Sequence, residues 1–89
     1  MTLEDLRKRI DAVDTRILRM LELRFKYALL TRRFKADVED PQRDAEVLES
    51  VRRRAGRLAG PEFAVRIYEE ILAESKALQR KDAKKEIKP

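Results

Sequence analysis

Along the first third of the chain, apolar residues recur at alternating steps of three and four: Leu3, Leu6, Ile10, Val13, Ile17 and Met20. That spacing is the stripe of an amphipathic helix. The next two positions in the register are Arg24 and Tyr27. A cation on the buried seam of a helix is costly unless something pairs with it. No acid on the same stripe is placed to do so. Glu22 points elsewhere, and the positions one turn away are Met20, Leu21, Tyr27 and Ala28. The partner of Arg24 therefore has to come from another helix, another subunit or a bound anion.

The same pattern sets the elements. Thr2 opens the first helix as its N-cap, with Asp5 at the capping-box position. The periodicity then predicts helix to about Lys35 with no Gly or Pro, a span of roughly 50 Å. Ala36 to Glu39 is the first break. Asp40-Pro41 restarts the chain with a good N-cap and a proline at the first helical position. Val47, Leu48, Val51 and Ala55 mark the apolar stripe of this second helix, and Gly56 loosens its end. Gly60-Pro61 opens the third, whose apolar face is Ala64, Ile67, Tyr68, Ile71, Leu72 and Leu78.

The pattern fades after Gln79. Residues 1–79 thus read as one helical domain, and the charged, aperiodic stretch 80–89 as a frayed tail. The second and third helices are expected to span about 15 and about 20 residues, so that end to end they match the first. One long helix with two shorter ones cannot close a core around itself. Two such chains can, and the expected architecture is an all-α, intertwined helical homodimer.

Composition narrows the chemistry. The chain has 89 residues, one domain at most, with 44% charged and 6% aromatic residues. A chain this small and charged has a thin core, for which oligomerisation commonly supplies the missing burial. It has no histidine and no cysteine. This excludes disulfides, thiolate chemistry, the common zinc sites and any Ser-His or Cys-His nucleophile. No asparagine is present and the charge is Arg-rich with Glu opposite, a weak thermophile-like signature. No apolar run suits a signal peptide or a membrane span, so a cytoplasmic chain is expected. The net charge of +5 is spread along the chain apart from Arg52-Arg53-Arg54 and the tail. No recognisable nucleic-acid-binding motif accompanies it.

Candidate chemistry gathers around Arg24. On a continuous helix Lys35 lies eleven residues on, about three turns, and faces the same way roughly 16 Å off. Ala28 and Thr31 form a small-residue floor between the two. In the third helix, Ser75 and Gln79 are polar residues one turn apart on the stripe of Tyr68 and Leu72. Arg43 and Asp44 stand in the first turn of the second helix, where an acid also supports the helix dipole. Arg7 is one step off the seam, roughly 100° round the helix from Arg24, so it reaches such a slot only in a partner's copy. The set holds cations, one acid, a serine and a glutamine, with no candidate nucleophile or histidine base. It suits binding a small dianion and stabilising developing negative charge without proton transfer.

These residues carry a resemblance. The segments LRKRIDAVDTRILRMLELR, Lys35, DPQRDAEVL and SKALQ occur in order at matching spacing over about residues 3 to 79. Together they closely resemble the all-helical class of chorismate mutases, with Met20-Leu21 at the usual paired leucines. The resemblance implies an intertwined dimer with two equal active sites and no cofactor or metal. The reaction it implies is the one-step Claisen rearrangement of chorismate to prephenate, on the way to phenylalanine and tyrosine.

By position, Arg24 and Arg7 from the other subunit would hold the substrate carboxylates. Lys35 and Gln79 would hydrogen-bond the ether oxygen, and Arg43 would order the site and its ion pairs. The backbone at Asp40 and the Asp44 acid would take the ring hydroxyl, and Ser75 would contact a carboxylate. One departure stands out: the family usually has Glu where this chain has Asp44, so weaker substrate affinity is expected. The same resemblance admits an isochorismate pyruvate lyase on this fold. It also admits a regulatory mutase that docks on another shikimate-pathway enzyme through the tail or Arg52 to Arg54. A basic helical dimer that binds nucleic acid and a purely structural coiled coil are the readings from other classes. No membrane partner is expected.

Overall fold

The computed structural model describes residues 1–86, the side chain of Glu86 excepted. It contains three helices: α1 over Leu3–Leu30, α2 over Pro41–Arg54 and α3 over Pro61–Glu86. No strand occurs among the described residues. The shape is elongated, 58 × 29 × 16 Å.

The predicted starts of the helices are where the caps put them. The Thr2 hydroxyl accepts the Asp5 N–H at 3.1 Å and Asp5 Oδ2 accepts the Thr2 N–H at 3.0 Å, a full capping box. That geometry lowers the Asp5 carboxyl below its ordinary value, chiefly through the Thr2 backbone N–H and then its hydroxyl. Asp40 Oδ1 accepts the Arg43 N–H at 3.2 Å ahead of Pro41. The Gly60 carbonyl accepts the Ala64 N–H at 3.1 Å as α3 opens after it.

Two ends differ from expectation. The first helix does not reach Lys35. It stops at Leu30, and Thr31–Arg33 form a single 3₁₀ turn. The cause is local competition for the last carbonyls. The Thr31 N–H is shared among the carbonyls of Tyr27, Ala28 and Leu29. Its hydroxyl donates to the Ala28 carbonyl at 2.6 Å, and Gln79 Nε2 of α3 donates to the same oxygen at 2.6 Å. With those groups satisfied from the side, the chain tightens and turns off. Lys35 therefore sits in the connecting segment, and its separation from Arg24 is not that of two residues on one helix.

The third helix, by contrast, runs past Gln79 through Glu86. Tertiary ion pairs hold the extra turns that periodicity alone did not support. Arg32 Nη1 lies 3.1 Å from Asp82 Oδ2, and Arg80 pairs with Glu39. Helix thus continues over 80–86, where an aperiodic tail was expected, and 87–89 lie outside the described residues.

α3 is the central element and packs on both other helices. The pairs Arg24–Ser75, Ala28–Gln79 and Arg32–Asp82 rise together along α1 and α3, so these two run the same way through their contact. Asp44–Lys76 and Glu39–Arg80 run in opposite senses, so α2 lies antiparallel to α3. The buried hydrophobic residues among those described are Val47, Val51 and Ile71, where α2 meets α3. Residues 1–20 are exposed throughout, including Leu6, Ile10, Val13 and Ile17 at about half of their full area.

The Arg32–Asp82 pair yields the first prediction. Asp82→Ala should speed amide hydrogen exchange over residues 80–86, while the melting midpoint moves little. Partly exposed ion pairs of this kind are worth about 1 kcal/mol or less. Unchanged exchange in that turn would mean the pair does not hold it.

Candidate active site

The three helices and the 34–40 segment enclose a cavity of about 290 Å³. Its wall contains Arg24 and Ala28 from the end of α1, Thr31 from the 3₁₀ turn, and Lys35 and Asp40 from the connecting segment. Arg43 and Asp44 come from the first turn of α2, and Ser75, Lys76 and Gln79 from α3. Seven of the eight candidates named from the sequence therefore meet in one place. The eighth, Arg7, lies on the exposed first half of α1 and does not join the cavity of its own chain.

Arg24 is half-buried, and its guanidinium carbon stands 5.7 Å from the centroid of the Tyr68 ring. The aromatic face offsets part of the cost of taking the cation out of water. Arg24 Nη1 also donates to Ser75 Oγ at 3.5 Å. Ser75 itself is 7% exposed, and its hydroxyl proton goes to the Ile71 carbonyl at 2.9 Å. Its lone pairs are thus the part turned toward Arg24. Among the described residues neither Arg24 nor Lys35 forms an ion pair. Lys35 Nζ donates to the Val38 carbonyl at 3.3 Å, which folds the 34–40 segment back on itself.

Gln79 is 4% exposed. Its amide nitrogen donates to the Ala28 carbonyl at 2.6 Å and to Thr31 Oγ1 at 3.3 Å. The second bond is long, and it is the one a stronger acceptor in the cavity can replace. Asp40 caps α2 with its side chain, and its carbonyl takes the Asp44 N–H at 3.0 Å. Its backbone N–H is left as the donor it offers. Arg43 is largely exposed, with Nη1 4.0 Å from Glu46 Oε1.

The Asp44 carboxylate is held by Lys76, with Nζ 2.5 Å from Oδ2. Lys76 also lies 3.4 Å from Glu39 Oε2. Its ammonium is raised above the ordinary 10.5, first by the hydrogen bond to Asp44, with partial burial opposing. Sequence reasoning missed Lys76 because a lone lysine on a helix is one of 22 basic residues. A signal was there: Lys76 and Arg80 are like charges one turn apart, an arrangement that calls for an acid from elsewhere.

Four cations thus face a small cavity with two acids, both of which already have partners. The arrangement fits a compact anion carrying more than one charge. It offers hydrogen-bond donors but no histidine base to activate the Ser75 or Thr31 hydroxyl. A family model described as chorismate mutase type II matches residues 6–80. The chain belongs to that family, whose members are isomerases. Among curated proteins and among solved structures, nothing matches the chain. No helix among the described residues is long and apolar enough to cross a membrane.

Proposed function

We propose that this chain converts chorismate to prephenate in the branch leading to phenylalanine and tyrosine, by clamping the dianion without a covalent intermediate. The observation that carries the reading is the pair Arg24 and Lys35. Both line one cavity of about 290 Å³, and neither has a carboxylate partner among the described residues. Such cations are preorganised for an anionic guest.

The rearrangement breaks an ether C–O bond, and its oxygen gains negative charge as it does so. Lys35 donates to that oxygen. Gln79 gives up its longer bond to Thr31 and donates there too. A donor aimed at a developing oxyanion is worth about 3 to 4 kcal/mol. Arg24, stacked on Tyr68 and braced by Ser75, takes one substrate carboxylate. The Asp40 N–H and the Asp44 carboxylate receive the ring hydroxyl. Arg43 orders the start of α2 around them. Asp44 is one methylene shorter than the glutamate usual in this family, which weakens the hydroxyl contact and with it substrate affinity.

The second carboxylate falls to Arg7 of a partner chain. The uncovered apolar stripe on the first half of α1 supports this part of the reading. Burying half-exposed Leu6, Ile10, Val13 and Ile17 against a second copy contributes on the order of 1 kcal/mol each. The same step brings a partner's Arg7 toward the cavity. The functional unit is then an intertwined homodimer with two sites.

Chorismate and isochorismate, offered side by side, test the reaction directly. Prephenate should form from chorismate, and Arg24→Leu should lose turnover by at least about a thousandfold while remaining folded. Salicylate and pyruvate from isochorismate would instead make the chain a lyase.

Because Gln79 is neutral, turnover should change little through the mildly acidic range. Gln79→Leu should lower kcat by about a hundredfold or more. A steep acid loss in the wild type would remove Gln79 from the ether oxygen.

Light scattering at micromolar concentration should report a dimer. Ile10→Glu should give a monomer without turnover, and Arg7→Ala an inactive dimer. A wild-type monomer that turns over chorismate would defeat the two-chain site.

A further inference from the structure

The acid in the cavity wall poses a problem that the proposed reaction leaves open. A carboxylate beside a guest with two negative charges repels it, whatever hydrogen bond it accepts in return. Asp44 is such a carboxylate, and its side chain is only 22% exposed, so water screens it incompletely. Lys76 meets it at 2.5 Å with a side chain 24% exposed. The same ammonium reaches Glu39 Oε2 at 3.4 Å, in the segment between Lys35 and Asp40. Arg80, one turn further along α3, takes the other oxygen of Glu39. That outer pair is more than half exposed on both sides, so most of the electrostatic weight falls on the inner one.

We propose that Lys76 is a positioning residue of this site, setting substrate affinity by neutralising and aiming the Asp44 carboxylate. It acts through Asp44. Two of its three N–H groups go to Asp44 and Glu39, and the pair lies across the junction of α2 and α3. With Lys76 present, the acid can accept a hydroxyl from the guest without adding net negative charge to the wall. With Lys76 removed, the acid both repels the guest and loses the partner that fixes its rotamer. This penalty falls on binding and is shared by ground and transition states, so it enters KM more than kcat.

The inference rests on the reading of the cavity as one for a dianion, and the test separates the two. Steady-state kinetics with chorismate are measured on wild type, Lys76→Met, Lys76→Arg, Asp44→Asn and the Asp44→Asn/Lys76→Met double variant. Lys76→Met should raise KM on the order of tenfold with kcat within about threefold. Lys76→Arg should recover most of that rise. In the Asp44→Asn background, Lys76→Met should change KM by less than about twofold, because the charge it serves is gone. An equal rise in both backgrounds means that Lys76 contacts the substrate itself, and a fall in kcat at constant KM means a different role. Either overturns the proposal.

A readout without turnover accompanies these. In a carbon NMR titration, the Lys76 Cε should report an ammonium above 10.5 in the wild type, returning toward that value in Asp44→Asn. If wild type does not turn over chorismate, the substrate reading falls and this titration alone decides the pairing. An ordinary Lys76 titration, unchanged by Asp44→Asn, would then end the proposal as well.

Discussion

The last turn of α1 is capped from another helix. Its final carbonyls need donors once the chain stops being helical, and the Gln79 amide supplies one to Ala28 from α3. A side chain 4% exposed leaves little freedom in how it meets that need. The bond therefore sets the register of α3 against α1. One turn earlier, the register brings Ser75 to Arg24, and earlier still it slides Tyr68 beside the guanidinium. Three residues after Gln79 it brings Asp82 to Arg32. The cavity is the space this registration leaves beside α2.

Electrostatics then give that space its character. The ion pairs Arg32–Asp82, Arg53–Glu49 and Arg80–Glu39 lie outside its wall. Inside, among the described residues, the acid that forms an ion pair is Asp44, and its partner is Lys76, so Arg24 and Lys35 are not spent on protein carboxylates. Cations kept available in a partly buried cleft act as fixed donors that need no rearrangement when charge develops. This is how a chain without histidine or cysteine supports a proposed rearrangement that involves no proton transfer.

The thinness of the core is the counterpart. Among the described residues three hydrophobic side chains are buried, while the stripe from Leu3 to Met20 is exposed. A stripe that long and regular on a single chain is apolar area waiting for cover. On the proposed reading, the element that supplies cover also supplies Arg7, so burial of the stripe and completion of the site become one event.

Much of this was written in the residues themselves. The helical class, the three starts at Thr2, Asp40-Pro41 and Gly60-Pro61, and the displaced cation at Arg24 follow from periodicity and caps within a few positions of one another. So does the suspicion attached to Ser75 and Gln79 on an otherwise apolar stripe. The stop of α1 at Leu30 was not readable, because the group that helps end it, Gln79, is about fifty residues away in the chain. The extra turns of α3 and the grip of Lys76 on Asp44 depend on acids and bases brought from other elements. Backbone propensity acts over one or two turns, and a sequence displays it openly. Which charge meets which across helices depends on where packing puts their ends, and only the folded chain decides that.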